Sequence, residues 1–193
     1  MAIVQAGAQI LRRPARAVDP RAIGSPDLDE LIAALRAGLV EAPGVGLAAP
    51  QIGVGLRVVL VQDPAENLAH VAPERLADRE RAPVEPYVLI NPEVETVGDE
   101  RRTFFEGCLS VDGYCALVER ARTVGVRWLD PAGERHEAVV SGWHARIVQH
   151  EVDHLNGILY IDRMFTRSFM TTENYVSWVD QPLDVVRTAL GLV

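Results

Sequence analysis

The sequence contains no lysine, only two cysteines, few aromatic residues and no long apolar run. All 19 basic residues are arginine, a bias to which we assign no function. No apolar run approaches the roughly 18 residues of a membrane-spanning helix, so no membrane span is predicted. Cys108 and Cys115 are close in sequence, and a disulfide between them would stabilise little. Two cysteines in an acidic chain without a secretory signal fit a reducing compartment. There a cysteine is more often a ligand, a nucleophile or a buried apolar group than half of a disulfide.

The charge of the chain argues against nucleic acid as a direct partner. The formal net charge is −8, and the arginines are scattered, whereas phosphate binding needs a clustered basic face.

The first residues have neither the apolar core nor the small-residue cleavage site of a secretory signal. The expected location is therefore the bacterial cytoplasm.

Two segments have the spacing of helices. Ser25 followed by Pro26 is typical of a helix start, and apolar residues then recur at helical spacing up to Leu39. The segment Glu41-Ala42-Pro43-Gly44 ends this helix. A second helix is predicted from Ser141 to about Leu155, with Asn156-Gly157 as its stop.

Between the helices the pattern changes to short β-prone runs, and residues 63–86 are predicted to be a loop or insertion. The tail, residues 165–193, is predicted to be partly strand, at Tyr175–Val179. Strands with a helix inserted among them indicate an α+β fold, and the length fits a single domain over residues 1–193. The predicted strands are Arg57–Val61, Tyr87–Ile90, Val94–Val97, Thr103–Phe105, Thr123–Leu129 and Glu137–Val140.

The strongest chemical signal is His150-Glu151-Val152-Asp153-His154, an H-E-x-x-H pattern on a predicted helix. Residues four apart lie on one helix face, so both imidazoles can reach one metal ion. Glu151 is adjacent, where it can reach a water molecule on the metal without being a ligand. The alternative is a helix with two surface histidines.

A catalytic metal site needs a third protein ligand and one open position, and the sequence leaves two candidates. Glu173 lies nineteen residues beyond His154, near the spacing of thermolysin-like enzymes, but no helical pattern directs it to the metal. Cys108, in Glu106-Gly107-Cys108-Leu109-Ser110-Val111, would give a Cys/His/His site. On its own it would be read as a buried thiol. His70, His136 and His144 lack a partner at ligand spacing and are expected to be surface or otherwise satisfied residues.

The third notable segment is glycine-rich and spans residues 44–53, GVGLAAPQIG. Its glycines permit close backbone approach and positive φ, and Gln51 provides one side-chain donor. It lacks the lysine of a phosphate-binding loop, so nucleotide binding is not expected. Taken alone, it would be an ordinary turn between a helix and a strand.

Together, GVGLAAPQIG, EGCLSV and QHEVDHLNG resemble, in this order and spacing, the three signature motifs of peptide deformylases. The resemblance covers roughly residues 5–165. It departs from the family pattern at Asp112, where proline is frequent. It implies antiparallel β-sheets around a central metal-binding helix, with an N-terminal helix packed outside. The implied activity is removal of the formyl group from the N-terminal formyl-methionine of nascent polypeptides, with release of formate.

The resemblance also implies the roles of the site residues. Cys108, His150 and His154 would hold one divalent metal ion per chain, Fe²⁺ by resemblance, with Zn²⁺, Ni²⁺ or Co²⁺ as alternatives. Glu151 would move the proton of the attacking water. Gln51 and the backbone N–H of Leu109 would stabilise the negative charge that develops on the formyl oxygen. Glu106 and seven further residues would contact the substrate: Val45, Gly46, Phe104, Gly107, Trp143, Arg146 and Ile147.

The partners implied are N-formyl-methionyl nascent peptides and, near its exit tunnel, the ribosome. Family members that dock on ribosomes use a basic C-terminal helix, whereas this tail carries little positive charge. Two other functions stay open from the sequence. One is a zinc endopeptidase using His150, His154 and Glu173, and the other is a metal-binding homologue without turnover. Glu151 argues against the latter, because it is needed for proton transfer and not for coordination.

Overall fold

The first long helix begins and largely ends where its sequence predicts. The structure, a computed structural model, describes residues 2–42 and 44–192, so the predicted helix stop at Pro43 lies outside the described residues. Helix α1 (Pro26–Glu41) is capped by Ser25, whose hydroxyl accepts a hydrogen bond from Leu28 N–H at 3.4 Å. Its apolar face packs on the first two strands of the larger sheet, outside the centre of the molecule.

Two antiparallel sheets make up the β structure, so the predicted α+β class is confirmed. The larger sheet has the strand order β1-β2-β3-β6-β7 and the smaller one β4-β5-β8. The strands are β1 (Gly46–Ala48), β2 (Val58–Asp63), β3 (Val84–Thr96), β4 (Arg101–Cys108), β5 (Val111–Ala121), β6 (Thr123–Leu129), β7 (Arg135–Ser141) and β8 (Met170–Thr171).

Helix α4 (Gly142–Leu155) lies between the sheets and contacts strands of both. Gly157 ends it in a left-handed conformation (φ 74°), and the N–H groups of Gly157 and Ile158 bond back to His154 and Asp153. Such a cap satisfies the last carbonyls of a helix. A Cβ on Gly157 would lie 2.8 Å from the backbone of Arg12, so the early chain packs directly on this helix end.

Some predicted strand boundaries were wrong for identifiable reasons. Tyr87–Ile90 and Val94–Val97 belong mainly to one strand, β3, which continues through Asn91-Pro92 with a register shift after Ile90. Asn91 has a positive φ of 52°, a local irregularity that permits this. The sequence does not predict strand β5, although it pairs with β4 from Cys115 to Ala121 and again at Val111.

The insertion and the tail are more helical than predicted. Residues 63–86 include α2 (Ala65–Leu68) and α3 (Pro73–Asp78), where the sequence indicated a loop. The predicted strand Tyr175–Val179 is wrong, since Tyr175 ends α5 (Thr172–Tyr175) and a turn follows, before α6 (Leu183–Ala189). The tail's strand is instead β8, which completes the smaller sheet. No helix in the described ranges is long and apolar enough to cross a membrane.

Candidate metal centre and active-site cleft

Helix α4 brings the two histidines of the H-E-x-x-H segment together on its buried face. The ring centroids of His150 and His154 are 5.1 Å apart, the separation expected one helical turn along. Burial lowers the pKa of His154 well below its ordinary value. A neutral imidazole is the form that binds a metal ion.

The third ligand candidate comes from the tight turn between β4 and β5. Cys108 ends β4 and pairs with Val111, so Leu109 and Ser110 form the turn. The Sγ of Cys108 lies 3.3 Å from Nε2 of His154. Ligand atoms of Cys108, His150 and His154 all lie within 4.8 Å of one another. Zinc-type bond lengths put a sulfur and a nitrogen on one tetrahedral ion about 3.5 Å apart, so this donor set fits a divalent metal.

A buried carboxylate orients His150. The Oε2 atom of Glu106 lies 2.9 Å from Nδ1 of His150, which leaves Nε2 free to face Cys108. Arg120 donates two hydrogen bonds to Glu106, at 2.7 and 2.8 Å, and Arg146 donates another at 2.5 Å. Burial raises the pKa of Glu106, but Arg120 and His150 hold it well below its usual range. A carboxylate behind a ligating histidine fixes the ring and raises its basicity.

The same network continues to the next acidic residue of the helix. Arg120 also donates to Asp153 at 2.8 Å, and Arg163 binds both oxygens of Asp153 at 2.7 and 2.8 Å. Arg120 and Arg163 thereby attach strand β5 and the segment after α4 to helix α4 through the buried carboxylate of Asp153. A buried charge without such a partner would be strongly destabilising.

Glu151 is buried beside the ligand group without being part of it. Its Oε2 atom has no hydrogen-bond partner in the described part of the chain. Burial raises the pKa of Glu151 to about 7, so the group can take and return a proton near neutral pH. The backbone of Gly46 lies against this side chain, where an added Cβ would come within 2.4 Å of Oε1.

The side-chain amide of Gln51 is held in one orientation. Its oxygen accepts a hydrogen bond from Ala48 N–H at 2.8 Å. The amide nitrogen donates to the hydroxyl of Ser110 at 3.2 Å and lies 3.6 Å from Sγ of Cys108. An amide fixed in this way presents a donor to the cleft without needing to reorganise.

A cleft of about 340 Å³ lies beside these groups. Seven of the eight predicted substrate contacts line it, namely Val45, Gly46, Glu106, Gly107, Trp143, Arg146 and Ile147, and so do Gln51, Leu109, His150 and Glu151. Phe104 is absent from this lining and packs against Trp143 and Arg146 instead. Its neighbour Phe105 lines the cleft.

The competing ligand candidates lie elsewhere in the described ranges. Glu173 is exposed on α5 and is not in the ligand group of Cys108. Cys115 is buried. His144 bonds to the hydroxyl of Tyr87 at 2.7 Å. The expectation that His136 lacks a partner at ligand spacing is wrong, because the β6–β7 hairpin brings ligand atoms of Asp130, Glu134 and His136 within 4.8 Å of one another. One oxygen of Asp130 lies 2.9 Å from Nε2 of His136.

Sequence reasoning missed the early chain as a part of the site. Val4 N–H donates to the carbonyl of Gln51 at 2.8 Å, and Ala6 N–H donates to that of Ser110 at 2.7 Å. The side chain of Gln5 donates to the carbonyl of Leu109 at 2.9 Å. Residues 4–6 therefore join the loop of Gln51 to the turn of Cys108. Such backbone bonds leave no signal in the identity of side chains.

Comparisons with known proteins agree with this geometry. The model of the polypeptide deformylase family matches residues 1–169. A peptide deformylase of Bifidobacterium adolescentis is 45% identical over 185 residues, which are 95% of this chain and 82% of that protein. The chloroplastic/mitochondrial peptide deformylase 1A of Arabidopsis thaliana is 44% identical over 94% of this chain, which spans 66% of that protein's length.

Solved structures give the same result. A class I type b peptide deformylase of Acinetobacter baumannii with bound Met-Ala-Ser has a TM-score of 0.75 and 38% identity. The match covers 85% of this chain and 98% of that one.

Proposed function

The chain belongs to the peptide deformylase family, and on that premise we propose that it hydrolyses the N-formyl group of nascent polypeptides and releases formate. Residues 1–193 would act as one catalytic domain. The observation that carries the proposal is the convergence of Cys108, His150 and His154 beside the buried Glu151 in one cleft. A family relative with bound Met-Ala-Ser supports a formyl-methionyl peptide as the substrate.

Cys108, His150 and His154 would hold one divalent ion, which supplies Lewis acidity and makes water nucleophilic near neutral pH. We propose Fe²⁺ by resemblance to the family. Zn²⁺, Ni²⁺ and Co²⁺ are alternatives, because a mixed thiolate and imidazole donor set does not choose among these ions. Metal analysis of anaerobically purified protein would identify the ion.

The residues around the ligands transfer the proton, stabilise the negative charge and bind the substrate. Glu151, buried and with an unpartnered oxygen, accepts the proton of the attacking water and delivers it to the departing amine. Gln51 and the N–H of Leu109 donate hydrogen bonds to the formyl oxygen as its negative charge develops. Val45 and Gly46 offer backbone hydrogen bonds to an extended peptide. Trp143, Arg146 and Ile147 contact the methionine side chain.

The test combines metal content with formate release from formyl-Met-Ala-Ser. We expect Cys108→Ala to lose the metal and Cys115→Ala, the other cysteine, to keep both metal and activity. Glu151→Gln should keep the metal and lose formate release. A Cys108→Ala protein with full metal content and endopeptidase activity would instead favour the endopeptidase, in which Glu173→Ala would remove the metal.

The surroundings of the enzyme follow from its substrate. Because formylated chains begin on bacterial-type ribosomes, we propose that it acts in the bacterial cytoplasm near the exit tunnel. Co-sedimentation with ribosomes at physiological salt would test this. The tail has few basic residues, so we expect weak binding that does not depend on α6.

A further inference from the structure

A second cavity of about 560 Å³ adjoins the active-site cleft. It lies between α3, strand β4 and the tail after α5. Five arginines line it, and we call it the arginine groove after them: Arg75, Arg79, Arg101, Arg102 and Arg187.

The charge of the groove is opposite to that of the chain. Three carboxylates line it beside the five arginines, namely Asp78, Glu119 and Asp180, whereas the whole chain carries −8. Arg75 is paired with Asp180 at 3.2 Å, and Arg102 with Glu100 at 2.7 Å. Arg79 and Arg101 have no carboxylate partner among the described residues. The groove therefore retains positive charge that the fold does not neutralise.

Two of the lining arginines each have a buried donor that lacks a partner. The Nε atoms of Arg75 and Arg187 are buried and make no hydrogen bond within the described residues. Buried donors of this kind are uncommon in folded proteins. They leave the two guanidinium groups incompletely satisfied by the fold.

The groove continues from the cleft. Phe105 lines both cavities, and its ring lies 4.8 Å from that of Tyr175, centroid to centroid. Helix α5 spans the boundary, with Thr172 in the cleft and Tyr175 in the groove. A peptide held at its formyl end has a chain that must leave the cleft, and the groove offers it a path past Phe105.

The lining favours a peptide over a polyanion. Aromatic and apolar side chains, among them Phe104, Trp178 and Leu183, alternate with the arginines, and three carboxylates are present. Nucleic-acid surfaces instead concentrate basic residues on one face. We propose that the arginine groove binds carboxylate side chains of the substrate peptide downstream of its formyl-methionine. This proposal rests on the proposed function.

The test is a set of formyl-Met-Ala-Ser peptides extended by a Gly-Ser tail, in which an Asp pair is moved stepwise and compared with an Asn pair. At low salt we expect at least one register with a KM roughly two- to fivefold lower for Asp, the size expected for exposed ion pairs. The kcat should be unchanged, because such contacts are equal in ground and transition states. High salt should remove the difference.

Arg101→Gln and Arg101→Glu test the groove itself. Arg101 is exposed, begins β4 and is outside the cleft lining. We expect Gln to abolish and Glu to reverse the preference for Asp. Arg135→Gln is the matched control, since Arg135 is also exposed and also begins a strand. That strand, β7, is at the edge of the larger sheet, whereas β4 belongs to the smaller one. The Arg135→Gln variant should keep the preference for Asp.

Three results would overturn the proposal. The first is that Asp lowers KM in no register, and the second is an equal loss of the preference in Arg135→Gln. The third is displacement of the acidic peptide by an RNA oligonucleotide at a lower concentration than an acidic competitor peptide requires. Unextended formyl-Met-Ala-Ser should be hydrolysed equally by the wild type and Arg101→Gln. If no variant hydrolyses that peptide, the proposed function fails, and not the groove alone.

Discussion

Gly46 lies directly against the side chain of Glu151. An added Cβ would lie 2.4 Å from Oε1 of Glu151, closer than any stable contact. Gly46→Ala should therefore displace the carboxylate and lower kcat about a hundredfold, since a shift of about 1 Å in a catalytic group has effects of this size. Steady-state formate release measures it.

Gly55→Ala is the matched control. Gly55 lies in the same stretch of chain, and an added Cβ would meet nothing within 4 Å. Its activity should equal that of the wild type. Full activity of Gly46→Ala would contradict the prediction that the carboxylate of Glu151 must keep this position for proton transfer.

A separate prediction concerns the side chain of Gln51. Its amide nitrogen points towards Cys108 and Ser110, and its oxygen is already bonded to Ala48. Gln51→Ala should lower kcat on the order of a hundredfold, the effect of losing one donor to a developing oxyanion. Metal content, measured on the same sample, should be unchanged. Unaltered kcat would reject the role.

Between elements, the main connection is the buried charge network of β4, β5 and α4. Glu106 accepts hydrogen bonds from Arg120, Arg146 and His150. Glu106→Gln would leave the buried Arg146 without a carboxylate partner and Arg120 with Asp153 alone, and we expect a loss of about 3–5 kcal/mol in the free energy of unfolding. Urea unfolding of the metal-free protein measures this.

The same substitution should weaken metal binding about 10–100-fold, because His150 loses the acceptor that orients it. Glu95→Gln is a suitable control: Glu95 is an exposed strand residue whose pair with Arg127 lies on the surface. It should change the free energy of unfolding by less than about 1 kcal/mol. Equal effects of the two substitutions would contradict a special role for the buried network.

The sequence predicts the helices and strands that have strong local patterns. It does not predict those whose formation depends on long-range contacts. Helices α1 and α4 and strand β6 have caps, breakers or β-branched runs of their own, and their bounds agree with the prediction. Strand β5 contains Asp112, Gly113 and Glu119, which weaken any strand pattern, and it forms because β4 pairs with it. Tyr175 looked like part of a strand but packs on Phe105 instead.

The site was predictable to the extent that its residues lie in motifs. The ligand group, Glu151 and Gln51 come from three such segments, and the structure brings them together. Phe104 was expected in the cleft, but the face of β4 to which it points is covered by Trp143 and Arg146. The roles of Arg120 and Arg163 depend on distances across the fold, which no spacing along the chain reveals.

At the scale of the whole molecule, the early chain holds the two loops of the site together. Gln5 donates to the carbonyl of Leu109 and accepts from Asp112 N–H. Gln5→Ala should lower the free energy of unfolding by about 1–2 kcal/mol through loss of these two bonds. Gln9→Ala is the control, because among the described residues the side chain of Gln9 bonds only to the exposed side chain of Arg13. Equal stability of both variants would contradict this role.

This attachment has a practical consequence for handling the protein. Since Val4 and Ala6 are bonded to the backbone at Gln51 and Ser110, any polypeptide fused ahead of Ile3 is joined directly to the segment that connects the two loops of the site. An affinity tag placed there would act on these bonds, and their loss would separate the early chain from both loops. A tag added after α6 would be attached to a segment that carries none of the catalytic groups.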